Sequence, residues 1–187
     1  MSKRLRLAQV APLANPVTGN STGSIEQLVW MLTEELVRRG HAVTLFASGD
    51  SQTSAQLRAA YPRGYEDDDE LWNWRFHEAM HVAQAFEAAG DFDVLHSHVY
   101  HYALPFTRLV RTPTVHSYHV LPDEDIARVF GRYPDAHVVA ISHYQRKVFP
   151  DNPDVAVVHH GIDTRAFPFN PEPGDYLLFL GRIFPGK

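Results

Sequence analysis

The chain has 187 residues, of which 44% are hydrophobic and 21% are charged, a balance typical of globular proteins and not of disordered or fibrous ones. Its 17 basic and 22 acidic side chains give a formal net charge of −5, which argues against binding to a nucleic-acid backbone. No apolar run is long enough for a membrane span, and the lack of cysteine excludes disulfides and thiolate chemistry. We therefore expect a soluble, cytoplasmic protein.

Short apolar runs alternate with segments of helical periodicity from the N-terminus onward. Residues 5–10 predict a strand, and residues 12–23 form a loop rich in Pro, Gly, Asn, Ser and Thr. Ser24 then opens an N-terminal capping signature for a helix that Gly40 ends. A second strand at residues 42–47 completes a βαβ unit, which predicts parallel strands.

The same alternation continues along the rest of the chain. Residues 49–62 are polar and predict a loop, and Pro168, Pro171, Pro173 and Gly174 predict a stiff linker. Further strands are predicted at residues 94–97, 114–117, 138–142, 155–159 and 176–180, and further helices at residues 71–89, 102–110, 123–130 and 143–149. Strands that alternate with helices predict an α/β fold, a Rossmann-like doubly wound parallel sheet with helices on both faces.

Many of the 12 histidines fall at the carboxyl ends of the predicted strands, where such sheets bind their ligands. Candidate cleft-lining residues at these ends are His98, His101, His116, Ser142 and Asp163. Backbone alternation sends His116 to one face of the sheet and His119 to the other. A histidine just past a strand end is well placed to donate a hydrogen bond or carry a proton.

Two motifs leave alternatives open. His96, His98 and His101 form H-x-H-x-x-H, and the first two would share a strand face, so they could bind a metal ion. No nearby carboxylate completes a hydrolase-type site, so polar histidines at the rim are the alternative. The loop from Gly19 to Gly23 leads into a helix N-terminus, which favours an anion such as phosphate, but an ordinary βα loop would look the same.

Six segments, in this order, resemble the retaining glycosyltransferases of the GT-B fold known as family four, or glycosyl transferases group 1. They are G-S-I-E-Q-L through V-T-L at residues 23–45, D-V-L-H-S-H at 93–98, P-T-V-H-S-Y-H at 113–119, V-V-A-I-S at 138–142, H-H-G-I-D-T-R-A-F at 159–167 and L-F-L-G-R-I-F-P-G-K at 178–187. The resemblance covers nearly the whole chain.

The resemblance implies transfer of a glycosyl unit from a nucleotide diphosphate sugar with retention of configuration. It implies neither a metal nor any cofactor, since the nucleotide sugar is a co-substrate. Residues 1–167 would be the N-terminal acceptor-side domain, and residues 168–187 the linker and first strand of a C-terminal donor-binding domain. The acceptor would be a small molecule, a glycan or a lipid.

The resemblance also assigns roles to individual residues. His119 matches the family's active-site histidine and would donate a hydrogen bond near the reacting sugar or its phosphate. Gly23 and Ser24 would lie near the donor phosphates, although Ser24 replaces the family's usual second glycine. Arg182 and Lys187 would hold the diphosphate and stabilise the negative charge that its departure builds.

The family's paired glutamates and most of the donor domain would lie beyond residue 187. We therefore expect the chain to be part of a longer polypeptide and to be inactive alone. Three other functions remain open at this point: a sugar-nucleotide epimerase of the same fold, a non-catalytic nucleotide- or sugar-binding module, and a metal-dependent hydrolase that uses His96, His98 and His101.

Overall fold

One parallel sheet organises the computed structural model, which describes residues 3–67, 73–149, 152 and 154–179. Its seven strands in the described residues are Arg6–Val10 (β1), Ala42–Phe46 (β2), Gln56–Arg58 (β3), Val94–Ser97 (β4), Thr114–Tyr118 (β5), His137–Ala140 (β6) and Ala156–Val157 (β7). Their order is β3-β2-β1-β4-β5-β6-β7, and every neighbouring pair is parallel. The direction of winding reverses between β1 and β4, where doubly wound sheets bind their ligands.

Helices cover both faces of this sheet. They are Ser24–Arg38 (α1), Trp74–Glu87 (α2), Leu104–Thr107 (α3), Glu124–Gly131 (α4) and His143–Arg146 (α5). Val29 of α1 packs in one buried cluster with Leu45, and Val82 of α2 packs in another with Ala8 and Phe46. Leu45 and Phe46 are successive strand residues and so point to opposite faces, which confirms the predicted doubly wound fold. None of the described helices is long and apolar enough to cross a membrane.

The N-terminus of α1 differs from the prediction by one residue, whereas Gly40 lies at its C-terminus as predicted. The N-cap residue is Gly23, which has no side chain to accept a capping hydrogen bond. The prediction that Ser24 caps the helix is therefore wrong. The reason is a carboxylate: Glu26, in the first turn, accepts a hydrogen bond from its own backbone N–H. At the other end Gly40 follows the C-cap residue Arg39 with φ of 87°, a conformation that favours glycine.

Two strand predictions also need correction. The segment predicted as a loop contains β3, a three-residue edge strand that is too short to show a clear period. The strand predicted at residues 176–180 is not present over 176–179, whose large apolar side chains are exposed. Residue 180 lies outside the described residues. A strand needs a hydrogen-bonded neighbour, and no described strand pairs with this segment.

Gln145 of α5 fixes the backbone on both sides of His119. Its side-chain amide donates to the carbonyl oxygens of Tyr118, at 2.9 Å, and Val120, at 2.6 Å. Its Oε1 atom accepts the backbone N–H of Ile141 at 2.7 Å. Gln145 is only 2% exposed, so water cannot replace these bonds if the side chain is removed.

Replacing Gln145 with leucine should therefore lower the free energy of unfolding by about 2–4 kcal/mol, because two carbonyl oxygens and one N–H lose their buried partners. Urea unfolding followed by circular dichroism measures this change. The matched control is Tyr144→Ala on the same helix, where the side chain is 68% exposed and the expected change is within about 0.5 kcal/mol. A Gln145→Leu protein as stable as the parent would contradict this account.

Candidate functional site

A groove of about 740 Å³ lies on the face of the sheet that α1 only partly covers. Its floor consists of side chains that β4, β5 and β6 turn to this face. These are His96, Ser117, Val139 and Ile141, with His98 and His119 at the strand ends. One wall is the apolar side of α1, including Leu28 and Leu32, and the other is the segment that follows β7. The groove therefore has a floor of polar and apolar side chains and one apolar wall.

Three histidines and one glutamine form a continuous line of hydrogen bonds in this groove, which we call the histidine row. His98 Nε2 lies 2.8 Å from Gln9 Oε1, and His98 Nδ1 lies 2.9 Å from His119 Nε2. His119 Nδ1 in turn lies 3.0 Å from His160 Nε2. Gln9 is in β1 and His98 and His119 directly follow β4 and β5, so the parallel sheet itself brings the row together.

The histidine row is uncharged at neutral pH. His98 is 1% exposed, and burial holds its pKa well below the usual range. Burial lowers the pKa of His119 to about 3, with the neighbouring His160 adding to the effect, and burial also lowers the pKa of His160. Each ring is therefore a neutral imidazole with one N–H group and one lone pair, so it can donate one hydrogen bond and accept one.

The three histidines of the H-x-H-x-x-H motif do not come together. His96 shares a face with His98, as predicted, and its Nε2 lies 2.8 Å from Ser117 Oγ. Both ring nitrogens of His98 are engaged by the histidine row, and the ring of His101 instead stacks on Tyr102. No group of three or more metal-ligating side chains in the described part of the chain could hold a metal ion. The geometry gives no support to the hydrolase alternative.

The other predicted cleft-lining residues lie in different places. Asp163 lines the groove and accepts hydrogen bonds from Arg165. His116 does not line the groove: it is 1% exposed on the opposite face, with its Nε2 atom 2.8 Å from Thr107 Oγ1. Ser142 is also outside the groove lining, because its hydroxyl accepts the backbone N–H of Gln145 as the N-cap of α5.

The carboxyl group of Glu26 lies at the phosphate site predicted for Gly23 and Ser24. Glu26 is 4% exposed, and its carboxylate accepts hydrogen bonds from its own backbone N–H and from the backbone and side chain of Asn15. A methyl group at Gly23 would overlap this carboxylate, so the glycine is required by the close approach. Burial raises the pKa of Glu26. A phosphate at this helix N-terminus would have to compete with Glu26 for backbone donors.

The remaining predicted residues, Arg182 and Lys187, lie outside the described residues. Sequence reasoning missed four features of the site: Gln9, His160 as the outer member of the row, the partnership of Ser117 with His96, and the carboxyl group of Glu26. Gln9 carried a usable signal, since a glutamine between Ala8 and Val10 in a buried strand needs a polar partner.

The buried histidines predict that stability falls as the pH is lowered from about 6.5 to about 4. Burial lowers the pKa of His81 and His96 to about 4, and burial with nearby histidines lowers that of His116 and His119 to about 3. The unfolded chain, with pKa values near 6.5, then binds more protons, and each histidine costs up to about 1.4 kcal/mol per pH unit. Glu78 has the opposite effect on stability. Burial raises its folded-state pKa to about 7, so the folded chain binds up to one proton more at this residue than the unfolded chain does.

Urea unfolding at several pH values measures this slope. His116→Gln should reduce the loss of stability by up to about 1.4 kcal/mol per pH unit, because one buried imidazole is removed. The control is Leu109→Gln, a change at an exposed side chain that does not titrate, which should leave the slope unchanged. A free energy of unfolding that stays level or rises as the pH is lowered through this window would overturn the expectation.

Comparison with known proteins gives one family match and one curated relative. Residues 25–166 match the family model described as Glycosyltransferase Family 4. D-inositol 3-phosphate glycosyltransferase of Frankia alni is 27% identical over an alignment that covers 95% of this chain and 55% of that protein. The chain thus spans about half the length of this relative.

A solved structure has the same fold. The crystal structure of AviGT4, a glycosyltransferase involved in avilamycin A biosynthesis, matches 85% of this chain and 43% of its own with a TM-score of 0.51 and 19% identity. The fold is therefore a Rossmann-like half of the GT-B type. The family match spans strands β2 to β7 and contains His98, His119 and His160. The chain belongs to glycosyltransferase family 4.

Proposed function

We propose that the chain is the acceptor-side half of an enzyme that transfers a glycosyl unit from a nucleotide diphosphate sugar to an acceptor hydroxyl with retention of configuration. The observation that carries the proposal is the groove with its histidine row at the carboxyl edge of the sheet, inside the residues that match the family. An apolar wall facing polar groups suits the ring of a sugar or polyol, which has both apolar faces and hydroxyl groups.

In the proposed reaction, negative charge develops on the leaving diphosphate and not beside the histidine row. The bond between the anomeric carbon and the phosphate oxygen breaks, and the nucleoside diphosphate leaves with the electron pair. The acceptor oxygen bonds to the anomeric carbon, and its proton goes to the leaving diphosphate. Arg182 and Lys187 would stabilise the negative charge, and His119 would position a sugar hydroxyl through its ring nitrogen.

The division at residues 167 and 168 into an acceptor-side domain and the start of a donor-binding domain remains part of the proposal, as do the cytoplasmic location and the absence of a metal requirement. The family match favours transfer over the epimerase and over the non-catalytic binding module. The acceptor remains a hydroxyl-bearing small molecule, glycan or lipid.

The 187-residue chain should not catalyse transfer by itself. It spans 55% of the curated relative, and the proposed donor site is formed largely by the other half. The measurement is release of nucleoside diphosphate from UDP- and GDP-sugars with a panel of hydroxylated acceptors. The longer polypeptide that contains this chain should release it, and the purified chain should not. Turnover by the chain alone would contradict the division of labour proposed for the two halves.

His119→Asn in the active polypeptide should lower kcat/KM by on the order of a hundredfold, since misplacing a reacting sugar by about 1 Å costs that much. The melting temperature should fall less than it does for Gln145→Leu, because loss of the His119 ring leaves one buried nitrogen, His98 Nδ1, without its partner, whereas Gln145→Leu leaves three backbone groups without theirs. The matched control is His137→Asn, at the amino end of β6, which should keep full activity. A large loss of stability with unchanged activity per folded molecule would make His119 a structural residue.

A further inference from the structure

The histidine row has a direction, and the residue at its buried end sets it. The Oε1 atom of Gln9 can only accept a hydrogen bond. His98 Nε2, 2.8 Å away, must therefore carry the proton. Because His98 is neutral, its Nδ1 atom is a lone pair and must accept from His119 Nε2 at 2.9 Å.

The protonation of His119 and His160 follows from that of His98. His119 donates through Nε2, so its Nδ1 atom is a lone pair and accepts from His160 Nε2 at 3.0 Å. The N–H groups of all three rings thus point inward, toward Gln9. No N–H of His119 is left for a ligand, whereas its Nδ1 lone pair faces a partner on the groove wall.

We propose that Gln9 and His98 are positioning residues that hold His119 in the tautomer with the proton on Nε2, so that His119 offers Nδ1 as a hydrogen-bond acceptor. The proposal rests on the proposed function, because it concerns the atom that His119 presents to the sugar. An acceptor nitrogen pairs with a hydroxyl group and repels an ionised phosphate oxygen, which has no proton to give. His119 therefore recognises a sugar or acceptor hydroxyl and does not donate to the donor phosphate.

The anchoring of the row supports this assignment. Gln9 is 1% exposed in a strand that pairs on both sides, and the backbone N–H of His98 is held by the Val10 carbonyl at 2.9 Å. Gln145 holds the backbone on both sides of His119. His160 is the exposed member, in the irregular segment after β7, so a ligand hydroxyl can replace its N–H without disturbing the buried end.

Long-range proton–nitrogen NMR on the ¹⁵N-histidine-labelled chain, at a pH near 7.5, reads the tautomer of each ring directly. Histidine-to-glutamine variants assign the signals. In the unmodified chain we expect a pyrrole-type Nε2 and a pyridine-type Nδ1 for His98 and His119. A pyridine-type Nε2 at His119, or a charged ring, would overturn the proposal even if no variant folds.

Two variants of Gln9 then test whether its side-chain amide fixes the tautomer of His119. Gln9→Leu removes the acceptor at similar volume and should convert His119 from one tautomer to a mixture. Gln9→Met serves the same purpose if the leucine protein does not fold. Ser117→Ala is the matched control, since it removes the partner of His96 on the same face and leaves the row intact, so His119 should keep one tautomer. A single unchanged tautomer at His119 after loss of the Gln9 amide would refute the role of Gln9.

These outcomes are independent of the proposed function. If the longer polypeptide transfers no sugar while His119 shows the expected tautomer, the function fails and the positioning role stands. If transfer is observed and His119 carries its proton on Nδ1, the positioning role fails and the function stands.

Discussion

Burying an imidazole is costly if the ring is charged or if its nitrogens lack partners, and the site depends on how the fold avoids both costs at His98 and His119. Removing a charge from water is costly in a protein interior, so burial keeps His98 and His119 neutral. A neutral ring still has one donor and one acceptor to satisfy. The row does this with His160 from the segment after β7, His119 and His98 from the ends of β5 and β4, and the side-chain amide oxygen of Gln9 in β1. Because the Gln9 oxygen can only accept a hydrogen bond, it determines which nitrogen of each ring carries the proton.

The parallel sheet explains why these side chains meet. Neighbouring parallel strands place their carboxyl ends along one edge, and a period of two keeps Gln9, His98 and His119 on the same face. Helix α1 covers only part of that face, and the groove is the uncovered part. The face of the sheet that carries the histidine row is therefore also the face that a ligand can reach.

Much of this was predictable from the sequence. Alternating strands and helices gave the doubly wound sheet, and strand alternation separated His116 from His119 correctly. Three features were among those missed, each for a different reason. Gln9 matters only because β4 lies beside β1, which are about 90 residues apart in the chain. Glu26 replaces Ser24 at the start of α1 because a buried carboxylate reaches the helix N-terminus from within the first turn. The edge strand β3 is too short for any period to be read.

The N-terminus of α1 and the histidine row offer different groups to a ligand. At the helix N-terminus the fold supplies the carboxyl group of Glu26, whereas the histidine row supplies an acceptor nitrogen. Neither the Glu26 carboxyl oxygens nor the His119 Nδ1 lone pair can donate a hydrogen bond to a phosphate oxygen, and the proposed function assigns the donor diphosphate to Arg182 and Lys187. A crystal structure of the longer polypeptide with a nucleotide diphosphate sugar tests this most directly. The account predicts a sugar or acceptor hydroxyl within about 3.2 Å of His119 Nδ1 while His119 Nε2 stays on His98. A phosphate oxygen bound to His119 Nδ1 would contradict it.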